Sequence, residues 1–249
     1  MDGVLWRRDT PINDLPAIFK KIANLNLKFV FATNNATLTP EGFVEKLRNY
    51  GVHVLPDQII TSAVCTGYLL GQRFPPGTPV YAIGEDGIVS ALLNNKYTLL
   101  TVDEAEHAKA VVVSLDRQVT FNKMRAATLL VGRGVPFYAT NPDKTFPTPE
   151  GEIPGAGAWI SVITIATGID PIYAGKPYPT LFNLALKKLA TSPSETLVVG
   201  DRLETDITAG QTIGCVCALV LSGVSSRAQA EAWQPAIDLI ADNLSELLE

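Results

Sequence analysis

The sequence predicts an α/β protein: a parallel sheet covered by helices on both faces, with a second α/β region inserted into the first. Three observations carry this. Short apolar runs alternate with stretches of helical periodicity along most of the 249 residues. The runs are apolar throughout rather than at every second position, as strands buried on both faces are. A Pro/Gly hinge at Phe74-Pro75-Pro76-Gly77 and a return at Gly168 to Pro171 bracket the middle third.

In order, Asn13 to Asn24 carries Leu15, Ile18, Phe19 and Ile22 at helical spacing, and Lys28 to Ala32 reads as a buried strand ending in Thr33-Asn34-Asn35. Thr39-Pro40 is an N-cap followed by proline at the first helical position. That helix runs through Phe43, Val44 and Leu47 and stops at Gly51. Ile59-Ile60 is strand-like, and Ser62 to Leu70 helical. In the middle, Val80 to Ile83, Ala110 to Ser114 and Pro136 to Ala139 read as strands, and Ile88 to Leu93, Phe121 to Val131 and Trp159 to Thr167 as helices. The tail returns to the first pattern, with strands at Pro171 to Ala174, Thr196 to Gly200 and Cys215 to Leu221, and helices at Tyr178 to Ala190 and Thr205 to Ile213. The expected division is a core of 1–76 and 171–249 with an inserted α/β cap of 77–170.

Composition excludes several classes. Eighteen per cent of residues are charged and the net charge is −5, with no basic run beyond two residues, so no nucleic-acid surface is expected. The longest apolar runs are too short to span a bilayer, and no leader pattern opens the chain. Three cysteines form no even disulfide framework, which points to the cytoplasm. Cys215 and Cys217 read as small buried apolar residues or, if further ligands lie near, as a metal or redox pair. His53 and His107 have no evident metal partner, which argues against zinc.

Polar clusters fall at the C-terminal ends of the apolar runs, where open α/β sheets bind ligands. They are Asp2-Gly3, Thr33-Asn34-Asn35, Gly175-Lys176-Pro177 and Gly200-Asp201, with Asp206 shortly after. Each alone reads as a loop or a solvated charge. Jointly they suit phosphoryl transfer with Mg²⁺, which takes one or two carboxylates with waters and phosphate completing its shell. A lysine and a hydroxyl would offset charge on the phosphoryl oxygens. Two carboxylates about 4 Å apart repel by roughly 4 kcal/mol at an effective dielectric of 20, so a cation between them is expected.

The order DGVL, ATNNAT, AGKPYP, GDRLETD resembles the haloacid-dehalogenase (HAD) superfamily of phosphatases, and the long interval between TNN and GKP resembles its NagD-like, para-nitrophenylphosphatase branch. The resemblance implies a Rossmann-like core with an α/β cap. It implies Mg²⁺-dependent hydrolysis of a small phosphorylated metabolite through an aspartyl-phosphate. Asp2 would be general acid and base and lend its backbone carbonyl to the metal. Thr33, with the Asn34 and Asn35 amides, would hold phosphate, Lys176 would steady nucleophile and phosphoryl group, Asp201 would bind the metal, and Asp206 would hold a metal-bound water. The family's motif is Asp-x-Asp-Gly, and its first aspartate, the nucleophile, would lie two positions before Asp2, ahead of Met1. The expectation is therefore a natural start upstream of Met1 and an inactive chain as given; a phosphate- or metabolite-binding pseudo-phosphatase is the alternative. A receiver domain is set aside because Asp201 follows Lys176 here. Asn141 to Phe146 and Pro154 to Gly157 are candidate substrate-lining segments, the latter equally readable as a loop leading into a helix. Arg202 and Glu204 have no assigned work. The cap is a common dimer surface in that family, which leaves a homodimer open. Asp201→Asn and Lys176→Ala are expected to weaken metal and phosphate binding without loss of stability.

Overall fold

The computed structural model describes residues 1–148 and 150–249; Pro149, inside the expected cap, lies outside the described residues. The chain forms two compact units, one of 1–32, 42–60 and 176–249, the other of 33–41 and 61–175. The expected cap, 77–170, is a part of the second unit, which begins earlier in the chain.

In the first unit, Leu197–Gly200, Val216–Val220 and Leu239–Ala241 form a parallel sheet in that order, with Val198 opposite Cys217 and Ala218 opposite Leu239. Phe31–Thr33 pairs with Ile59–Thr61 in a separate two-stranded sheet. Helix Leu15–Asn24 starts where the Asp14 carboxylate accepts the Ala17 N–H at 3.1 Å, with Pro16 in its first turn, and it buries Leu15, Ile18 and Ile22. Leu47 of helix Pro40–Asn49 joins them in one core with Trp6 and Ile59. Helix Thr180–Leu189 buries Leu181, Phe182 and Ala185.

In the second unit, five parallel strands run in the order Ile172–Tyr173, Phe137–Ala139, Ala110–Val113, Pro79–Ile83, Thr98–Leu100. Both faces are covered, which is why the strands carry no polar alternation. Tyr81, Ile83, Val111 and Val113 pack with Met124, Leu130, Ile160 and Ile163 of helices Phe121–Gly132 and Ala156–Thr167. Val80, Ala110 and Val112 point the other way, onto Ala63, Leu70, Ile88 and Leu92 of helices Ser62–Gly71 and Asp86–Asn94.

The structure corrects several boundaries. The strand expected over Lys28 to Ala32 is Phe31–Thr33, because among the described residues its ladder is formed with the three residues Ile59–Thr61. Ile172–Tyr173, read with the tail, joins the second unit's sheet beside Tyr138 and Ala139. The helix expected over Thr205 to Ile213 is a wide π-helical turn, Leu203–Ile207, followed by a short helix, Thr208–Thr212. The hairpins Trp6–Arg7/Thr10–Pro11 and Thr145–Thr148/Gly151–Pro154 lacked an apolar signal, since most of their residues are exposed.

Leu47 is fully buried in the first unit's core. Leu47→Ala should lower unfolding stability by about 2–5 kcal/mol, the usual cost of a Leu-sized cavity, as read by urea denaturation. A loss under about 1 kcal/mol would show that the core collapses around the deletion.

Candidate active site

In the first unit the strand Leu197–Gly200 delivers Asp201 at its C-terminal end. Asp201 is buried, and its Oδ2 accepts the Val224 N–H at 3.0 Å. Two backbones close around this carboxylate. A Cβ on Gly3, which sits at φ +72°, or on Gly223 would overlap it. The Ser222 hydroxyl donates to the Gly3 carbonyl at 2.6 Å, which joins the start of the chain to the same loop. Asp2 is exposed, and its Oδ1 accepts the Trp6 indole N–H at 2.7 Å.

Lys176 and Asp206 form a buried ion pair, Nζ to Oδ1 2.6 Å. The same ammonium donates to the Ala32 carbonyl at 3.4 Å, on the residue before Thr33. The other Asp206 oxygen, Oδ2, accepts the Arg202 N–H at 3.2 Å. The wide turn makes this possible, since it swings the Asp206 side chain back over Gly200, where any Cβ would collide with it.

The two acids titrate in opposite directions. Burial, and then the Asp206 charge, push the Asp201 carboxyl above its ordinary value. Burial is the largest influence on Asp206 and opposes its ionisation, but the Lys176 ammonium, the Met1 amino terminus and the hydrogen bonds from Lys176 and Arg202 together hold the group below the ordinary range. Asp206 is thus a committed anion, while Asp201 is an anion that burial disfavours and a cation would relieve.

In the second unit, Thr33 Oγ1 accepts the Asn35 N–H at 3.1 Å, and Asn35 Oδ1 accepts from the Thr37 N–H at 2.9 Å and hydroxyl at 2.7 Å. The Asn34 carbonyl accepts from the Ser62 hydroxyl at 2.5 Å and from Asn141 Nδ2 at 2.8 Å. Its side-chain amide donates to both Asp143 oxygens, at 3.3 and 3.2 Å. The segments 141–146 and 154–157 lie together: the Gly157 N–H donates to the Asp143 carbonyl at 2.8 Å and the Gly155 N–H to the Lys144 carbonyl at 2.9 Å. Both readings of the Gly-rich stretch therefore meet here, because it packs on that segment and also opens helix Ala156–Thr167.

Sequence reasoning missed Ser222 to Ser225, which holds Asp201 and Gly3. The signal was the one used elsewhere: a small polar cluster at the end of an apolar strand, here Val216–Val220. The cysteines are free and buried, and burial pushes the thiols of Cys65 and Cys217 up to about 12, so they act as apolar residues. Among the described residues no group of three or more His, Cys, Asp and Glu could by itself hold a metal ion. Asp201 with backbone carbonyls and waters still fits Mg²⁺, which needs only one or two carboxylates. No helix among the described residues is long and apolar enough to cross a membrane.

Sequence profiles described as haloacid dehalogenase-like hydrolase and HAD-hydrolase-like match residues 1–98 and 173–247. An acid sugar phosphatase of Staphylococcus epidermidis is 36% identical over 226 residues, covering 91% of this chain and 86% of the relative. The chain belongs to the HAD-like hydrolases. Its fold matches the p-nitrophenyl phosphatase of Archaeoglobus fulgidus with a TM-score of 0.91 and 31% identity, covering 99% of this chain and 95% of the other. It matches NagD from E. coli K-12 with a TM-score of 0.90 and 30% identity over the same shares. The chain is a HAD-like phosphatase of the NagD-like branch.

The buried ion pair weighs against the expectation that Lys176→Ala leaves stability intact. Removing Lys176 leaves Asp206 buried and charged without its ammonium partner, which should cost about 3–5 kcal/mol. Lys176→Met with Asp206→Leu should regain most of that loss in thermal unfolding. An additive loss in the double variant would show that the pair is not coupled.

Asp201 behaves oppositely. Its raised folded value means that ionisation costs stability. The cost is absent below the unfolded value, grows across the window between the two, and is full above the folded one. Asp201→Asn, which never ionises, should therefore melt higher than the parent at pH 7 without metal. The gap should close as pH falls below the unfolded value. A lower melting temperature at pH 7 would contradict this.

Proposed function

We propose that this site performs Mg²⁺-dependent hydrolysis of a small phosphomonoester through an aspartyl-phosphate. The observation that carries the reading is the buried Lys176–Asp206 pair beside a disfavoured Asp201 anion at the C-terminal ends of the core strands. That arrangement supplies a fixed cation for phosphoryl oxygens and a carboxylate in want of a metal. Asp201 and the Asp2 backbone carbonyl would hold Mg²⁺, and Asp206 would hold a metal-bound water. Bound there, the ion would neutralise charge on the transferring phosphoryl group.

The nucleophile is an aspartate two positions before Asp2, as in the family's motif, a position ahead of Met1. Its carboxylate attacks phosphorus while the bond to the leaving oxygen breaks, and Asp2 gives that oxygen its proton. Water then attacks the acyl phosphate, Asp2 takes the water's proton, and inorganic phosphate leaves with the aspartate regenerated. Lys176 orients the nucleophile and phosphoryl group. Thr33, whose hydroxyl already accepts from the Asn35 amide, is free to turn its proton towards a phosphoryl oxygen, with the Asn34 and Asn35 amides beside it. Residues 77–170 act as a cap, with 141–146 and 154–157 reading the leaving group. The relatives' names favour sugar phosphates and aryl phosphates as first substrates.

The test is phosphate release from p-nitrophenyl phosphate and a sugar-phosphate panel, using a chain begun far enough upstream to carry that aspartate. Turnover should require Mg²⁺ and vanish with EDTA. Asp2→Asn should lower kcat by about 10²–10⁴ with little change in stability, since Asp2 is exposed. Residues 1–249 alone should bind phosphate without turnover. Robust Mg²⁺-dependent release by residues 1–249 would overturn the assignment of the nucleophile.

A further inference from the structure

A threonine hydroxyl can donate or accept, and the phosphate-holding role of Thr33 requires it to donate. An oxygen that gives its proton to a protein acceptor has none left for a phosphoryl oxygen. The surroundings of Thr33 in the second unit settle which of the two it does.

The Asn35 N–H donates to Thr33 Oγ1 at 3.1 Å. The Thr33 oxygen therefore accepts from the protein and keeps its own proton for another partner. The peptide that carries this N–H is held from its far side. In a planar trans peptide the N–H points away from the C=O, so whatever fixes the Asn34 carbonyl aims the Asn35 N–H. That carbonyl accepts from the Ser62 hydroxyl at 2.5 Å and from Asn141 Nδ2 at 2.8 Å. The two donors come from separate elements, the first turn of helix Ser62–Gly71 and the loop after strand Phe137–Ala139. Both side chains are buried. Burying a hydroxyl and an amide costs free energy unless each is bonded, and here both direct a bond at one oxygen.

The Asn141 amide is held in the sense that offers its N–H. Its Oδ1 accepts the Asp143 N–H at 3.1 Å, and its Nδ2 also donates to Thr140 Oγ1 at 3.3 Å. The Thr140 hydroxyl in turn donates to Ser114 Oγ at 3.1 Å. The Asp143 carboxylate accepts both contacts from the Asn34 side-chain amide. A ring of hydrogen bonds thus runs from Asn34 to Asn141, on to Asp143 and back to Asn34. Gly175 packs against this ring: its N–H donates to the Thr140 carbonyl at 2.7 Å, and a Cβ there would stand 2.5 Å from Asn34 Oδ1.

We propose that Ser62 and Asn141 are positioning residues for phosphate binding: by fixing the Asn34 carbonyl they aim the Asn35 N–H at the Thr33 oxygen, and so commit the Thr33 hydroxyl to donate to a phosphoryl oxygen. Hydrogen bonds onto the carbonyl also polarise the peptide and strengthen its N–H as a donor. Neither side chain needs to touch phosphate. The inference rests on the phosphate-holding role given to Thr33 above and adds the two residues that set the sense of its hydrogen bond.

The probe is inorganic phosphate, titrated calorimetrically into residues 1–249 at fixed Mg²⁺. Thr33→Val removes the hydroxyl and should weaken binding about tenfold or more, as for a hydrogen bond to a charged group. Asn141→Ala and Ser62→Ala should each weaken it about three- to tenfold. In the Thr33→Val background neither should weaken it further, because the hydroxyl through which they act is gone. The stoichiometry reports any unfolded fraction, so a destabilised variant does not imitate lower affinity. A second readout needs no ligand: the Asn35 amide resonance should move upfield in both single variants, as its peptide loses a donor on the carbonyl. Parent-like phosphate affinity in both variants would overturn the proposal, and so would an unmoved Asn35 resonance. Equal weakening with and without the Thr33 hydroxyl would also overturn it, since that is the mark of a merely structural role. If the parent protein itself binds no phosphate, the proposed function falls and this role with it; a binding parent with parent-like variants removes this role alone.

Discussion

One buried ammonium organises the first unit's polar centre. Lys176 Nζ sits 2.6 Å from Asp206 and 3.4 Å from the Ala32 carbonyl, so a single cation ties a strand end to the turn after another strand. A lysine is buried like this only when paired, because desolvating a lone charge costs several kcal/mol. The neighbouring geometry follows from satisfying it. The wide turn at Leu203–Ile207 aims Asp206 inward, Gly200 leaves room for its side chain, and the Arg202 amide caps its second oxygen. Burial, and then the charge of the neighbouring Asp206, make ionisation of Asp201 unfavourable. A site that is strained toward binding a cation results from residues that individually resemble loop polarity.

How much of this was legible depended on what kind of signal each part left. The strand-end rule located Lys176, Asp201, Asp206 and the Thr33 loop, because apolar runs announce buried strands and the polar residue that ends each run is conspicuous. The helices at Leu15–Asn24, Pro40–Asn49 and Thr180–Leu189 were readable from periodicity within two residues or so at most ends. What failed was whatever depends on a neighbour. Phe29 and Val30 are as apolar as Phe31, yet a strand exists only where a ladder does, and that is set by Ile59–Thr61. Ile172–Tyr173 carries nothing in its composition to say which sheet it joins. The Asp206 turn is wide because of contacts with Gly200, Arg202 and Lys176, of which the sequence between Thr205 and Ile213 holds no trace. Ser222 to Ser225 obeys the same rule, but it holds Asp201 through the Val224 backbone N–H, which the residue type does not announce.

The most direct test of the central claim is a crystal structure of the protein grown with Mg²⁺ and orthovanadate, a mimic of the phosphoryl group in transfer. The account predicts the metal at about 2.1 Å from an Asp201 oxygen. It also predicts a vanadate oxygen within hydrogen-bond distance of Lys176 Nζ, with the Lys176–Asp206 pair intact. A metal bound away from Asp201, or vanadate bound away from Lys176, would contradict it.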